Sequence, residues 1–314
     1  MERGSKDIVE LKDLISRAAH HLKRTVAVAG ADDNHVIEAV TLAIKNNLAN
    51  FILFGDQESI TKLLFNKGPE YVNHPSIKIV HSNSKVDACE LTVSAVREDG
   101  ADLIMKGNVS TADILRAVLN KDNGLRTGNV LSHIAVFEIS TVNRFILLTD
   151  AAMNIKPSLE QKVQIVNNAV TIANSIGITT PKVAALAAVE VVNEAMEATI
   201  DAALLTQMNR RGQIKKCIVD GPLAFDNAVS ELAANQKGIC NEVAGKADII
   251  LVPTIEVGNA LYKSFIFFAG AKVGAVVTGA KVPIVLTSRA DSAENKLYSL
   301  ALAVCCSGDN TFTV

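Results

Sequence analysis

Short runs of β-branched residues alternate with amphipathic stretches along most of the chain, starting near Arg24. The apolar runs predict strands at residues 25–29, 51–54, 77–81, 102–105, 182–188, 216–220, 247–252, 273–278 and 283–287. Apolar residues at helical spacing predict helices over 34–49, 85–98 and 158–175, and a last helix that buries Leu297, Leu300, Ala301 and Val304. Such alternation is typical of βαβ units, so we expect an α/β fold with mostly parallel sheets.

The segment 133–149 breaks this alternation. Its two apolar runs, 134–139 and 145–148, are separated by only five residues. Parallel neighbours need a connection of about a dozen residues or more, so the pattern predicts an antiparallel hairpin. A chain of 314 residues is long for one hydrophobic core, since single cores stop growing at about 250–300 residues. We therefore expect two αβα lobes, with the hairpin near their boundary and the chain crossing back into the first lobe near its end.

Composition narrows the classes of partner. The chain has 31 basic and 33 acidic residues, no tryptophan and only 4% aromatic residues, and no stretch gathers lysine or arginine into a stripe. We expect no nucleic-acid partner, because such proteins need a basic footprint or stacking aromatics. Five cysteines without a CxxC pair fit neither a disulfide framework nor a zinc site, which predicts a reducing compartment and no metal.

The N-terminal residues lack the apolar core of a signal peptide. No stretch of about 20 apolar residues is free of charges, as a membrane span requires. We therefore expect a soluble cytoplasmic protein without a membrane partner.

Four loops that follow predicted strands are rich in Gly, Ser, Asn, Asp or basic residues: 106–111, 220–222, 253–259 and 288–291. In open α/β sheets ligands bind beyond the carboxyl ends of strands, where helix N-termini attract anions. In the first loop Lys106 and Ser110 either face a phosphate, or are a solvated lysine and the cap of a helix. Asp220 either points into a crevice or caps the next helix.

The segment 253–263 carries Gly258 and Asn259 where a helix begins, a position that propensity disfavours for both. A glycine there permits close approach of another backbone or of a ligand. Asn259 and Lys263 are therefore candidate binding residues, and the alternative for Lys263 is an exposed surface position.

The segment GLRTGNVLSH at 124–133 places Arg126 between two glycines, before the hairpin. A guanidinium binds phosphate or carboxylate through two parallel hydrogen bonds, and Arg116 on the preceding helix is a candidate for the same cluster. The alternative for either arginine is a solvated surface position. His133 begins a strand beside this loop, either as a catalytic histidine or as a hydrogen-bonded structural one.

Ser288 and Arg289 lie between the strand predicted at 283–287 and the last helix, whose start is predicted by a capping box of Asp291 and Glu294. An arginine beside a helix N-terminus is electrostatically misplaced unless an anion lies between them, which predicts a bound phosphate. Capping alone is sufficient to account for Asp291.

The order of these motifs resembles the phosphate acetyltransferase and butyryltransferase family. The matching segments are MKGNVSTADILRAVL at 105–119, GLRTGNVLSHIAVFE at 124–138, LLTDAAMNIKPSLEQK at 147–162, DGPLAFDNA at 220–228, ADIILVPTIEVGNALYKS at 247–264 and PIVLTSRADSAENK at 283–296. The resemblance implies a fold like that of isocitrate and isopropylmalate dehydrogenases, with one lobe of 1–132 plus 281–314, a second of 133–280, and an active site in the cleft between them. The LRTG run at 125–128 favours the butyryl branch over the acetyl branch.

The family transfers a short acyl group reversibly between coenzyme A and phosphate, by direct attack in a ternary complex without an acyl-enzyme or a metal. The resemblance therefore implies acyl-CoA and phosphate as substrates, coenzyme A as a substrate rather than a permanently bound cofactor, and a homo-oligomer. It also implies that Ser288 polarises the reacting centre, that Arg289 binds phosphate and that Arg116 belongs to the site.

One position departs from the family pattern. The acetyl branch has an aspartate, the expected base, seven positions beyond the serine, whereas this chain has Asn295 there. An amide cannot take a proton from a thiol at neutral pH, so Asp291, Glu294 and His133 are the candidate bases.

Three other functions remain open on the sequence. A metal-dependent hydroxy-acid dehydrogenase of the same fold would need clustered aspartates to bind the metal and a site for a nicotinamide cofactor. The usual dinucleotide-binding pattern is GxGxxG, and the run Gly30-Ala31-Asp32-Asp33 departs from it. An acyl-phosphate synthase that acts on acyl carrier protein would need a basic docking face, which the charge balance does not indicate. A two-lobed ligand binder without catalysis would ordinarily be exported.

Overall fold

The computed structural model describes residues 10–286 and 291–307 of the chain. They form two compact units. Among the described residues, the first unit consists of Leu11–Asn129 together with 274–286 and 291–307, and the second unit consists of Val130–Val273 together with Glu10.

Helices and strands alternate in both units. The first unit begins with α1 (Leu11–Ala19), β1 (Arg24–Ala29), α2 (Asn34–Lys45), β2 (Ala49–Gly55), α3 (Gln57–Lys67), a short 3₁₀ helix (Pro69–Tyr71), β3 (Ile77–His81), α4 (Lys85–Arg97), β4 (Leu103–Lys106) and α5 (Thr111–Val118). The second unit contains β5 (Ser132–Glu138), β6 (Ile146–Thr149), α6 (Leu159–Ser175), β7 (Lys182–Leu186), α7 (Glu197–Arg210), β8 (Ile218–Leu223), α8 (Phe225–Val229), α9 (Glu231–Gln236), β9 (Ile249–Leu251) and α10 (Ile255–Phe267). The chain then returns to the first unit through β10 (Lys272–Thr278), β11 (Ile284–Val285) and α11 (Ala293–Cys306).

Most strand pairs are parallel. In the first unit the strand order is β3-β2-β1-β4-β11-β10, and the pairs are parallel except that β10 runs antiparallel to β11. In the second unit the order is β5-β6-β9-β7-β8, and the pairs are parallel except for β5 and β6. The predicted α/β class with mostly parallel strands is confirmed. The predicted hairpin is also confirmed, with Val136 paired to Leu147.

The core explains why the strands were visible as apolar runs. All four residues of β4 and all four of β6 are buried, as expected for strands that helices cover on both faces. In the first unit α11 buries eleven of its fourteen residues. It packs against α1 and α2, so its apolar stripe forms the centre of that unit.

Several predicted ends are wrong, and backbone geometry gives the reason for two of them. The helix predicted over 34–49 ends at Lys45, because Asn47 adopts a left-handed conformation with φ of 54° before β2 begins. The strand predicted at 216–220 starts two residues later, because Lys216 has φ of 60°, and it continues to Leu223. Asparagine tolerates the left-handed region well, whereas an extended strand excludes it. The strands predicted at 182–188 and 247–252 are shorter in the structure, and the described part of the strand predicted at 283–287 is Ile284–Val285.

Among the described residues, every helix falls short of the length and apolar character that a membrane span requires.

Candidate active site

Four helix N-termini of the first unit lie at one edge of its sheet. Because β1 to β4 are parallel, the loops at their carboxyl ends meet at the same edge, and α2, α3, α4 and α5 follow them. Each helix is capped by a side chain that accepts a backbone N–H bond: Asp33, Asp56, Ser84 and Ser110. This edge combines loop backbone with the positive ends of helix dipoles, which is the arrangement that attracts anions in α/β proteins.

Lys106 is the last residue of β4 and is buried. Its Nζ donates to the carbonyl oxygens of Gly107 and Val109, at 3.1 Å each. Gly107 is packed so closely on the turn after β1 that a Cβ atom there would lie 2.2 Å from the oxygen of Gly30. The alternative of a solvated lysine is therefore wrong. Lys106 holds its own loop against β1, and a contact of its ammonium group with phosphate stays a prediction.

Ser110 and Arg116 both bond to Asp113, which lies in the first turn of α5. The Ser110 hydroxyl accepts a bond from the Asp113 N–H, which confirms the predicted cap, and donates to the Asp113 carboxylate at 2.6 Å. Arg116 Nη1 lies 2.8 Å from the same carboxylate. Hydrogen bonds from Ser110 and Arg116 lower the pKa of Asp113. The Arg116 side chain is 73% exposed and borders an open groove of about 390 Å³ between α4 and α5, so a ligand can reach it.

The loop that carries Arg126 is bonded to the segment that leads into β11. Arg126 is exposed and forms a backbone bridge with Ala280. Lys281 donates its N–H to the oxygen of Leu125 at 3.0 Å, and Thr127 donates its hydroxyl to the oxygen of Gly279 at 2.6 Å. Ser288 and Arg289, which follow β11 in the sequence, lie outside the described residues.

The start of α11 differs from the predicted capping box. Ser292 is the cap, with its hydroxyl 3.1 Å from the Asn295 N–H. Asp291 instead accepts at its backbone oxygen a bond from Lys296 Nζ at 2.5 Å, and Glu294 accepts one from the Tyr298 hydroxyl at 2.5 Å. The predicted box is therefore wrong, because a serine one residue later caps as well as an aspartate does.

Lys296 is a residue that the sequence reasoning missed. It is almost fully buried in the first unit. Burial lowers the pKa of its ammonium group, an effect that the negative charges of Asp291, Asp33 and Glu38 oppose. A lysine in a helix is ordinarily solvent-exposed. The available signal was its spacing, because it lies four residues before Leu300 on the apolar face of the helix.

In the second unit, α10 packs on the turn that follows β6. A Cβ atom at Gly258 would lie 2.6 Å from the backbone oxygen of Asp150, so this glycine permits the approach of another backbone, one of the two predicted reasons. Asn259 is largely exposed, with its Nδ2 atom 3.5 Å from the oxygen of Ala151. Lys263 is exposed, which leaves both of its interpretations open. His133 is buried in β5 with its ring edge-on to Tyr262, at 5.8 Å between centroids.

Asp150 organises that turn and was also missed. Its buried carboxylate accepts bonds from the N–H groups of Ala152, Met153 and Asn154 and from Asn154 Nδ2, at 2.6–3.2 Å. Asn154 Nδ2 also donates to the oxygen of Leu131 at 2.7 Å. Three segments of the family resemblance, 124–138, 147–162 and 247–264, therefore meet around Asp150 and Gly258.

Asp220 lies inside β8 rather than at its end. Its side chain is partly buried, and burial raises the pKa of its carboxyl group, against hydrogen bonds from Gly221 and Asn241. The next helix, α8, begins after Ala224 and has no side-chain cap. The alternative of Asp220 as a helix cap is therefore wrong, and a role in binding stays a prediction.

Comparisons with known proteins agree with one another. The family model described as "Phosphate acetyl/butaryl transferase" matches residues 72–304. The chain is 56% identical over 303 residues to a "Probable phosphate butyryltransferase" of Bacillus subtilis (strain 168), covering 96% of this chain and 100% of that protein. It is 46% identical over 293 residues to a "Phosphate acetyltransferase" of Thermotoga maritima, covering 93% of this chain and 98% of that protein.

Solved structures give the same fold. A branched-chain phosphotransacylase from Enterococcus faecalis V583 matches with a TM-score of 0.78 at 34% identity, covering 91% of this chain and 99% of that one. A putative 4-hydroxythreonine-4-phosphate dehydrogenase from Salmonella typhimurium matches with a TM-score of 0.56 at 13% identity, covering 91% of this chain and 100% of that one. The second likeness concerns the fold alone, and it confirms the expected dehydrogenase-like architecture.

Proposed function

The chain belongs to the phosphate acetyl/butyryl transferase family, and we propose that it transfers a short acyl group, butyryl in preference, reversibly between coenzyme A and inorganic phosphate. The observation that carries this proposal is the 56% identity over nearly the whole chain to a probable phosphate butyryltransferase. The anion-attracting edge of the first unit supports it, because both substrates carry phosphate groups.

In the proposed reaction phosphate attacks the thioester carbonyl, the bond between the carbonyl carbon and sulfur breaks, and coenzyme A leaves as a thiolate that gains a proton. In reverse, a base takes the thiol proton before sulfur attacks the acyl phosphate. We propose that Ser288 and Arg289 stabilise the carbonyl oxygen and the phosphate. Coenzyme A acts as a substrate, and no permanently bound cofactor is involved.

Exposed cations are available for the phosphates of the substrates. Arg116, Arg126 and Lys263 are all exposed, and guanidinium groups suit phosphate geometry. For the base, we keep Asp291, Glu294 and His133 as candidates. Their observed contacts differ, since Glu294 accepts from Tyr298 whereas His133 stacks edge-on against Tyr262.

A preference for acetyl is the second candidate, because the Thermotoga maritima relative bears that name at 46% identity. One assay distinguishes the two. The protein is incubated with butyryl-CoA and phosphate, and with acetyl-CoA and phosphate in parallel, while free thiol is measured. We expect phosphate-dependent thiol release that is faster with butyryl-CoA. Absence of release with any short acyl-CoA rejects the function, and faster release with acetyl-CoA supports the second candidate.

The Arg289→Ala variant tests the phosphate site. A hydrogen bond to a charged group is worth about 1.5–3 kcal/mol, so the KM for phosphate should rise about 10-fold to 150-fold. Lys281→Ala, an exposed cation on the segment before β11, is the matched control. An unchanged phosphate dependence in Arg289→Ala rejects the assignment of the site.

We also propose a cytoplasmic location and a homo-oligomer. All five cysteines are free thiols, which suits a reducing compartment. Two adjacent aromatic residues at the end of α10, Phe267 and Phe268, are largely exposed, and such exposed apolar surface is typical of an interface.

A further inference from the structure

A cleft of about 300 Å³ opens at the carboxyl ends of β1, β2 and β3 in the first unit. It lies between the turns that follow β1 and β2 and the segment that leads from β3 into α4. Gly30, Gly55 and Ala88 are buried residues of its lining, and their small size leaves room for a flat group. The groove that Arg116 borders lies elsewhere, between α4 and α5. This cleft is therefore a second concave surface of the unit.

Backbone bonds hold the strand ends around the cleft together. The N–H of Ala31 donates to the oxygen of Phe54 at 2.9 Å, and the N–H of Ser82 donates to the oxygen of Gly55 at 2.9 Å. A Cβ atom at Gly55 would lie only 3.1 Å from Asp32 Oδ1, so a glycine at the end of β2 leaves the space that this carboxylate occupies. The carboxylate thus lies over the end of β2.

Two polar side chains of the cleft have no hydrogen-bond partner among the described residues. Ser82 lines the cleft and is only 7% exposed, and no described group bonds to its hydroxyl. The half-buried carboxylate of Asp32 likewise accepts no bond from them. The neighbouring Asp56 differs, because its carboxylate accepts the Ser59 N–H at 2.8 Å. Buried polar groups are ordinarily hydrogen-bonded, so Ser82 and Asp32 point to a ligand that supplies the missing partners.

The α4 side of the cleft is positive. Lys85 is exposed in the first turn of α4 and lines the cleft. Its Nζ atom lies 3.4 Å from Asn108 Oδ1, a neutral group, and no described carboxylate forms an ion pair with it. The N-terminus of α4, which Ser84 caps, adds the positive end of a helix dipole. Together they favour an anion such as phosphate.

The strand order gives the carboxylate a further meaning. The order β3-β2-β1-β4 is that of folds that bind dinucleotides, in which an acidic side chain bonds to the ribose hydroxyls. Asp32, over the end of β2, is an acidic side chain with both oxygens available. Those folds also hold a pyrophosphate on a glycine-rich turn, whereas the turn that follows β1 here departs from that pattern. A ribose with a single phosphate group at α4 therefore suits the cleft better than a dinucleotide.

We propose that this cleft binds a nucleoside 5′-phosphate that is not a substrate of acyl transfer. Asp32 accepts hydrogen bonds from the 2′- and 3′-hydroxyl groups of the ribose. Ser82 and Lys85 bind the phosphate. The base lies over Gly30 and Gly55, where the lining is flat enough for any base. The inference goes beyond the proposed function and does not depend on it.

The ribose of coenzyme A does not fit this arrangement. It carries a phosphate group on its 3′-oxygen, so the Asp32 carboxylate would face a second negative charge in place of a hydroxyl donor. Like charges brought together in a binding site weaken binding strongly. The cleft therefore distinguishes a nucleotide with free ribose hydroxyls from the adenosine end of coenzyme A.

Isothermal titration calorimetry of the purified full-length protein with AMP tests the proposal. We expect a Kd of about 1 mM or tighter, and binding of adenosine 3′,5′-bisphosphate that is weaker about tenfold or more. Asp32→Ala and Lys85→Ala should each weaken AMP binding about tenfold or more, because each removes a hydrogen bond with a charged group. Asp32→Asn keeps the shape of the side chain without its charge, so the preference for AMP over the bisphosphate should fall.

The control variant is Lys62→Ala, which removes an exposed lysine of α3 and should leave the Kd for AMP unchanged. Saturating coenzyme A should also leave the AMP titration unchanged. Absence of AMP binding overturns the proposal, as does wild-type AMP affinity in Asp32→Ala or in Lys85→Ala. Loss of AMP binding in the presence of coenzyme A overturns it too, because the cleft would then belong to the substrate site. The titration involves no acyl transfer, so its outcome is independent of the thiol-release assay.

Discussion

Arg116 is a residue whose structural and functional contributions can be separated. It is largely exposed and pairs with Asp113, and exposed ion pairs contribute little to stability. We predict that Arg116→Ala keeps the melting temperature within about 2 °C of the wild type. If Arg116 binds a phosphate group of a substrate, the KM for coenzyme A or for phosphate rises about tenfold or more.

Arg211→Ala is the control, because Arg211 is an exposed arginine just beyond α7 in the second unit. Unchanged KM values for both substrates in Arg116→Ala contradict the binding role. If KM rises equally in Arg116→Ala and in Arg211→Ala, the cause is the loss of a positive charge in general rather than a binding role of Arg116.

The cysteines give a prediction that depends on burial. Burial raises the pKa of Cys89, Cys217 and Cys305 to about 11, whereas Cys240 is exposed. The thiolate is the reactive form, and at pH 8 a pKa of about 11 leaves roughly 0.1% thiolate, against roughly 25% for an ordinary exposed cysteine. A thiol-specific chromogenic reagent should therefore modify one cysteine quickly in the native protein and all five in denaturant.

Cys240→Ser should abolish the fast phase, which also removes the protein's own background from the thiol assay. Raising the pH toward 11 increases the thiolate fraction of the buried groups, so slow modification should accelerate there. Any fast thiol that remains in native Cys240→Ser protein at pH 8 would contradict the burial of the other four.

The residues that sequence reasoning recovered are those whose partners are close in the chain. The cap Ser110 bonds to the N–H of the residue three positions later, so spacing alone identified it. Asp150 and Lys296 were missed for the opposite reason. The Asp150 turn is completed by Leu131 through Asn154, and the burial of Lys296 depends on how α11 packs within the first unit. The contact between Asn154 and Leu131 spans 23 residues of sequence. The spacing of Lys296 before Leu300 places it on the apolar face of the helix, but it does not show that a charged side chain is buried there.

At the scale of elements, the start of α11 provides a sharp test of the corrected cap. Ser292→Ala removes the side chain that accepts the Asn295 N–H, and loss of such a cap costs about 1 kcal/mol. Asp291→Ala leaves that bond and the backbone oxygen of residue 291 in place. We predict that urea unfolding finds Ser292→Ala less stable than the wild type by about this amount, and Asp291→Ala less affected.

Equal destabilisation by the two substitutions would restore the capping box that the sequence predicted. The Ser292→Thr variant is the control, since threonine caps nearly as well as serine. It should recover most of the lost stability.

Strands were located more reliably than helices, and burial explains the difference. β1, β2, β4 and β6 are apolar runs that helices cover, so each is visible without knowledge of the fold. By contrast α3 buries only Ile60 and Leu64, too few positions to form a recognisable stripe. The ends of elements depend on single residues such as Asn47 and Lys216, whose left-handed backbone no apolar pattern reveals.

At the scale of the whole molecule, the family was recognised from the order of six segments rather than from any one motif. These segments are distributed over both units, and the match to the family model over residues 72–304 confirms the recognition. The roles of Ser288 and Arg289 still rest on the sequence alone.

The exposed end of α10 leads to the prediction about assembly. α10 buries only Gly258 and Phe265, while Phe267 is 77% exposed and Phe268 is 91% exposed. A symmetric contact places a surface against its own copy, so a patch of net charge would repel itself. α10 carries one acidic and one basic residue, Glu256 and Lys263, and its aromatic end is neutral. Such a face suits a second copy of the chain better than a charged partner.

We therefore predict that the wild type has a solution mass of at least twice the 33.4 kDa of the chain, measured by light scattering after size exclusion. Phe267→Glu/Phe268→Glu should shift the protein toward 33.4 kDa, because a symmetric contact would then oppose four like charges. Phe65→Glu, which changes an exposed aromatic residue of α3, is the control and should leave the mass unchanged. A monomeric wild type contradicts the homo-oligomer. A double variant that keeps the wild-type mass shows instead that the chain assembles through another surface, since four buried glutamates could not be accommodated at α10 without a large loss of affinity.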